Sequence, residues 1–367
     1  MKIGWLPGDG IGIEVLEAAR IVLDAVKFDA DYVNGDIGWE FWKSEGDALP
    51  KRTLGVLSNV DAAMFGAITS KPASVANNEL DSHLKGKQYT YRSPIVRMRQ
   101  IFDLYTCLRP CKAYSGNDLN FNDKIDITVF RENTEGLYAG VEFNPIPSEL
   151  SELLLKISQS YSKFDGVNDL SMSCKITSRK GSYKIAKAAF EYAKLTGKNS
   201  VTAVHKANVV RATDGMFLDE VRRASEEYPE ISLSEANIDA LCMWLLKNPL
   251  NYQVLVAPNL YGDVVSDLCA QMVGGLGFAC SGNIGKSLAV FEPTHGSAPK
   301  YAGQYKVNPI ATILAAKMML IWLGETEKAD KIEEAVAHVI KDGKVKTYDM
   351  GGNDNTLEMA KAISEAI

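Results

Sequence analysis

A chain of 367 residues, 46% hydrophobic and 23% charged, carries core enough for two or three domains and excludes a disordered or fibrous protein. Its formal net charge of −6, with no run of Lys or Arg, argues against a nucleic-acid surface, so any anion must meet a local basic cluster. No membrane span is expected, because the longest apolar stretch, ILAAKMMLIWLG (313–324), is short and carries Lys317.

The chain opens on KIGWLP, a strand, and on LPGDGIGIEV, where a helix begins: Ile11, Val15, Ala18, Val22 and Val26 recur at helical spacing. Asp9 and Glu14 interrupt any secretory signal, so a cytoplasmic protein is expected. Gly8, Gly10 and Gly12, with Asp29 and Asp31 about twenty positions on, look like a dinucleotide fingerprint. The third glycine of G-x-G-x-x-G would fall at position 13, which is Ile. The glycines are therefore expected to make a tight turn that packs the first helix on the first strand, bordering a nucleotide site without cradling its phosphates.

ADYVNGD and DAAMFGAI follow as strands, TSKPAS as a loop, and NNELDSHLKGKQYTYRSP as an irregular surface segment. DLYTCLRP, IDITVFREN and SMSCKITS read as strands, and RKGSYKIAKAAFEYAKLTG as an amphipathic helix ending at Gly197. Strand–helix pairs come next: SVTAVHK with ATDGMFLDEVRRASEEY, ISLSEANID with ALCMWLLKNP, and YQVLVAPN with YGDVVSDLCAQMVGGLG. The last third reads as helical, with Pro309 in a first turn. The alternation predicts an α/β protein with a mostly parallel sheet. The six cysteines lack zinc or redox spacing and read as reduced and packed.

Several residues carry chemistry. In NLYGDVVSDL, Asp263 and Asp267 share a helix face and repel unless a cation sits between them; oxygen ligands suit Mg²⁺ or Mn²⁺, although two solvated aspartates fit the same spacing. Arg99, Arg109 and Arg131 stand on or beside strands, which predicts either a polyanionic small substrate or three structural ion pairs. Tyr138 and Lys206 could act as acid and base on a hydroxy acid, or be ordinary residues. In FEPTHGSAPKYAG, His295, Gly296 and Ser297 form a turn with free N–H groups, followed by Lys300 and Tyr301, a cation and a phenol that could meet a ribose 2′-phosphate.

GDGIG, RENTEGLY, HKAN, NLYGDVVSDL, GGLG, SGNIG, FEPTHGSAP and KTYDMGG together resemble the β-decarboxylating dehydrogenases, which act on isocitrate, isopropylmalate and homoisocitrate. The resemblance spans nearly the whole chain. It implies the isocitrate/isopropylmalate dehydrogenase-like two-domain α/β fold, not a classical Rossmann fold. The large domain would be 1–98 and 256–367, and the small domain 99–255, with a clasp-like segment at about 138–176. It implies a homodimer with shared active sites. Arg99, Arg109, Arg131 and Ser93 would hold a hydroxy-tricarboxylate substrate, and Tyr138 would be the general acid. Lys206 and Asp239 would come from the neighbouring subunit, with Asp239 joining Asp263 and Asp267 around one Mg²⁺ or Mn²⁺.

The resemblance also bears on specificity. Thr69, Asn208, His295, Gly296, Ser297, Ala298, Lys300, Tyr301, Asn308 and Tyr348 would contact the nucleotide. Lys300, Tyr301, Val307 and Tyr348 match NADP users, where NAD users carry an acidic and an aliphatic residue; an arginine expected four residues after Tyr348 is Gly352. NADP is therefore expected, with NAD possible. In RSPIVRMRQ, Ser93 matches isocitrate dehydrogenases, but position 95 is Ile rather than Asn, as in homoisocitrate dehydrogenases. The expected reaction is the oxidative decarboxylation of isocitrate. The alternatives are homoisocitrate or an isopropylmalate-like substrate with NAD, a non-catalytic regulatory paralogue, and a true Rossmann dehydrogenase using the N-terminal glycines.

Overall fold

The computed structural model describes residues 1–157 and 170–367. Its strands in chain order are β1 (Lys2–Gly8), β2 (Asp31–Asn34), β3 (Ala62–Ala67), β4 (Thr106–Lys112), β5 (Asp126–Glu132), β6 (Glu142–Phe143), β7 (Met172–Ser173), β8 (Ser200–His205), β9 (Ser232–Asn237), β10 (Val254–Ala257), β11 (Cys280–Ile284) and β12 (Ala289–Pro293). Strands β6 and β7 pair with each other, and the rest form a ten-stranded sheet ordered β2-β1-β3-β12-β11-β4-β5-β10-β8-β9.

Strands β2, β1, β3 and β12 run parallel, and so do β5, β10, β8 and β9. Between the two blocks, β11 and β4 pair antiparallel with each other and with their outer neighbours. Parallel strands are buried on both faces, which is why AAMFGA of β3 and VLVA of β10 are apolar and fully covered. Helices Gly12–Ala25, Ile310–Trp322, Thr326–Asp342 and Thr356–Glu365 cover the block built from the chain's ends, through Leu16, Val22, Ile313, Met319, Val336 and Ile363. Helices Arg179–Leu195 and Arg211–Ser225 cover the middle block through Ile185, Phe190, Phe217 and Val221. Each such side chain contributes about 1.5–3 kcal/mol on burial.

The mostly parallel sheet and the predicted helices are found, with four differences. The last third is not wholly helical, because CSGNI and AVFEP form β11 and β12. Gly and Asn in the first broke the apolar alternation that marks a strand. The segment 77–94 is not simply surface: Leu80 and Leu84 are buried, and Tyr91 packs edge-on against Trp39 and Trp42. SMSCKITS pairs in a strand only at Met172–Ser173, and residues 158–169 of the expected clasp lie outside the described residues. The helix read from YGDVVSDLCAQ starts two residues earlier, at Asn259, so Gly262 lies inside it, where a Cβ would come within 2.6 Å of the Cβ of Arg131.

GDGIG makes the expected tight turn. Gly8 and Gly10 have φ of 71° and 57°, and a Cβ on Gly10 would lie 2.1 Å from the carbonyl oxygen of Ser297. The N–H of Ile11 donates to that same oxygen at 2.9 Å. The Asp9 carboxylate accepts the N–H groups of Trp39 and Thr69 at 2.7 and 2.8 Å. The loop therefore clamps β1, β3 and the HGSAP turn together. Gly10→Ala should lower unfolding free energy by about 2–3 kcal/mol, since it adds both a left-handed penalty and a clash. A urea midpoint unchanged from the parent would refute this account.

Candidate active site

The expected substrate arginines meet at the seam between the two parallel blocks. Arg109 lies on β4, Arg131 on β5, and Arg99 in the last turn of the helix Pro94–Ile101; they are 8%, 1% and 7% exposed. Buried guanidinium groups are costly unless paired. Arg131 donates from Nε (3.0 Å) and Nη2 (2.8 Å) to Oδ1 of Asn259, and from Nη1 to Asp263. Arg109 Nη1 donates to Ser266 Oγ at 2.7 Å and lies 3.3 and 3.2 Å from Asp263 and Asp267. Arg99 Nε donates to Oδ1 of Asn283 at 2.8 Å, and its Nη2 to Glu292 at 3.2 Å. Ser93 precedes the same helix, with no cap bond from its hydroxyl, and Ile95 packs on the apolar cluster containing Leu6 and Phe65.

Tyr138 joins this group, donating its O–H to Oδ2 of Asp263 at 2.7 Å, with Arg131 5.0 Å over its ring. Burial and the Asp263 carboxylate push the Tyr138 pKa up, so the phenol is a proton donor at neutral pH. Burial pushes Asp263 up, but Arg131, Arg109 and the Tyr138 hydroxyl outweigh it and hold the carboxyl below its ordinary range. Burial raises Asp267, against the pull of Arg109. Two carboxylates on one helix face thus differ in proton affinity. Their oxygen donor set suits a hard divalent cation, and the position between them already attracts positive charge from Arg109.

Lys206 and Asp239 lie elsewhere, just after β8 and in the first turn of the helix Ile238–Lys247 that follows β9, where Lys206 Nζ pairs with Oδ1 of Asp239. Among the described residues, no three His, Cys, Asp or Glu of one chain converge as a metal site. Asn208 is exposed beside Lys206.

A cavity of about 360 Å³ opens beside the GDGIG turn, lined by His295, Gly296, Ala298, Tyr301, Asn308 and Tyr348, among others. Six of the ten expected nucleotide residues therefore line one space. Ser297 and Thr69 lie behind it, their hydroxyls 2.7 Å apart. Asn308 is also structural, accepting the N–H of Ile310 at 3.0 Å and donating to Asp349 at 3.0 Å. Burial pushes the His295 pKa down, which keeps the ring neutral at pH 7.

Lys300 is exposed and is not among the lining residues; its Nζ lies 4.9 Å from the Tyr301 ring. The lining cation is Lys306, which the sequence reading missed, 4.3 Å from the Tyr348 ring and 5.8 Å from that of Tyr301. Its signal was present in YKVNP, flanked by residues already singled out. Gly352 has a structural reason: a Cβ there would lie 1.9 Å from the carbonyl oxygen of Lys346, so the turn excludes an arginine. Asn259, Ser266, Asn283 and Glu292 were missed as well; each sits inside a motif already quoted and holds an arginine.

A buried arginine cluster with an acidic helix face, next to a nucleotide-sized cavity in this sheet topology, fits the class of two-substrate enzymes that bring a small polyanion beside a nucleotide. The family profile for isocitrate/isopropylmalate dehydrogenase matches residues 2–363, and the chain belongs to that family. These are β-decarboxylating dehydrogenases that act on small hydroxy acids with NAD(P) and a divalent metal. The chain is 40% identical to a 3-isopropylmalate dehydrogenase of Archaeoglobus fulgidus, over 100% of this chain and 99% of that one. It is 39% identical to Protein DlpA of Legionella pneumophila, covering 100% of this chain but spanning only 58% of that relative's length. Its structure is similar to the crystal structure of isocitrate dehydrogenase from Methylococcus capsulatus, with TM-score 0.86, 35% identity, and coverage of 100% and 98%.

Because the folded pKa of Asp263 is depressed, its contribution to stability is present above the ordinary carboxylate value and is lost as pH falls through the folded value. The parent's urea midpoint should therefore decline more steeply below about pH 4 than that of Asp263→Asn. Parallel pH profiles would overturn the pairing of Asp263 with the arginines.

Proposed function

We propose that the chain is a homodimeric, divalent-metal-dependent dehydrogenase that oxidatively decarboxylates isocitrate to 2-oxoglutarate and CO₂, with NADP as the preferred hydride acceptor. The convergence of Arg109, Arg131 and Tyr138 on Asp263, with Arg99 buried against the neighbouring strands, carries the reading. The proposed large domain is 1–98 with 256–367 and the small domain 99–255. Residues 138–176 form the proposed clasp. The exposed apolar side chains Met243, Trp244, Leu260 and Val264, on the helices Ile238–Lys247 and Asn259–Gln271, support dimerisation through that face. Lys206 and Asp239, paired beside those helices, then serve the neighbouring site. Among the described residues no helix is long and apolar enough to cross a membrane, and the six unbridged cysteines support a cytoplasmic location.

The arginines bind the substrate carboxylates through forked N–H donors, and the Ser93 hydroxyl adds one bond to the distal carboxylate. The partner subunit's Lys206 assists loss of the α-hydroxyl proton. Hydride leaves the same substrate carbon for the nicotinamide, and the resulting β-keto acid loses CO₂. Tyr138 protonates the enolate carbon that remains, consistent with a phenol held protonated at neutral pH. When bound by Asp263, Asp267 and the partner subunit's Asp239, Mg²⁺ or Mn²⁺ supplies Lewis acidity to the reacting oxygens. Lys306, Tyr301 and Tyr348, with Lys300 nearby, favour the extra phosphate of NADP. Homoisocitrate is the second reading, favoured by Ile95, which presents an apolar side chain where a hydrogen-bonding one would hold the shorter acid.

Steady-state kinetics with isocitrate or homoisocitrate, each with NAD or NADP, test the reading. The highest kcat/KM is expected for isocitrate with NADP; an isocitrate value below about one hundredth of that for homoisocitrate would transfer the assignment. Tyr138→Phe should lower kcat by about 10²-fold or more with little change in KM. Lys306→Ala and Lys300→Asp should each raise KM for NADP about tenfold or more and leave that for NAD within about threefold. Equal effects on both nucleotides would remove the phosphate-binding role.

A further inference from the structure

Asp214 lies in the first turn of the helix Arg211–Ser225, and it is fully buried, with 0% exposure. A carboxylate in such a place is costly unless its oxygens are paired. Oδ2 accepts the backbone N–H of Lys206 at 2.8 Å. Oδ1 accepts Lys175 Nζ and, at 3.4 Å, the hydroxyl of Thr213. The carbonyl of Lys206 accepts the N–H groups of Val209 and Val210 at 2.9 and 2.8 Å. The peptide groups on both sides of Lys206 are therefore pinned, while its side chain projects away from them to Asp239.

The carboxylate also joins parts of the molecule far apart in sequence. Lys175 follows β7, and its ammonium stands 4.6 Å from the ring centroid of Tyr261. Tyr261 sits two residues before Asp263 on the helix Asn259–Gln271. An apolar side chain would fill this space without desolvating a charge. What an aspartate adds is an acceptor for one N–H and a counter-charge for one ammonium.

We propose that Asp214 is a positioning residue for the reaction: its buried carboxylate fixes the main chain of Lys206 by accepting its N–H, with the Lys175 ammonium as the counter-charge that lets the carboxylate stay buried. The inference rests on the reading of Lys206 given above. In the dimer, Lys206 reaches the neighbouring site while Tyr261 and Asp263 belong to their own. One carboxylate thereby holds the turn from which Lys206 is lent to its neighbour.

Two double variants of the full chain separate positioning from packing. Lys175→Met with Asp214→Asn removes both charges and keeps an acceptor for the Lys206 N–H. Lys175→Met with Asp214→Leu removes both charges and the acceptor. The asparagine variant should keep kcat for isocitrate with NADP and Mg²⁺ within about fivefold of the parent. The leucine variant should lose about fiftyfold in kcat, with the nucleotide KM within about twofold. Should leucine prevent folding, Asp214→Ala in the same background takes its place. Equal kcat in the two double variants, whatever their melting temperatures, would overturn the positioning role. Lys206→Met separates the two levels of the argument. If it keeps kcat within about threefold, the reading of Lys206 fails and this inference with it. If it is inactive while the two double variants are equal, only the inference fails.

Discussion

The pairing of Arg109 and Arg131 with Asp263 holds the centre of this molecule. Both guanidinium groups are buried where two oppositely directed parallel blocks meet, a place that would otherwise demand apolar side chains. Charge there requires counter-charge, and the helix Asn259–Gln271 supplies it through Asn259, Asp263, Ser266 and Asp267. Gly262 makes the approach possible, because any side chain would meet Arg131 before the carboxylate could. The sheet junction, the helix and the cleft are thus one electrostatic arrangement.

The same arrangement gives the two sides of the cluster different characters. Around Asp263, burial and positive charge compete, and the charge wins, so a carboxylate persists beside a phenol that keeps its proton. On the β12 side, Arg99 is held by Asn283 and Glu292, which fixes the third guanidinium without spending it on the aspartates. The proposed substrate would complete a site that is already balanced internally. Binding then exchanges one set of ion pairs for another and avoids leaving charges bare.

The nucleotide cavity depends on a different constraint, close backbone approach. Gly10 lies against the Ser297 carbonyl, and Asp9 gathers N–H groups from two other segments, so the first turn of the chain serves as a wall behind the HGSAP loop. The tight packing at Gly352 belongs to the same pattern: geometry there forbids a side chain, and positive charge enters the cavity from Lys306. The charge of that cavity is then a matter of which cation the fold can present, as well as which residue type occupies a motif position.

Much of this was legible in the residues. The alternation of strands and helices, the tight glycine turn and the shared helix face of Asp263 and Asp267 follow from periodicity and spacing, because these depend on neighbours within a turn or a strand, while the roles expected of the three arginines and Tyr138 came from the family resemblance. Strands β11 and β12 were not legible, since Gly282 and Asn283 suit a strand only between the partners that tertiary pairing provides. Nor were Asn259, Asn283 and Glu292 as arginine anchors, or Lys306 as the cavity's cation, because long-range contacts leave no local period. The sequence by itself determined the class of fold and the chemical types that must meet. Only the tertiary structure decided which charge faces which, because ion pairing and close backbone approach depend on distances between segments hundreds of residues apart.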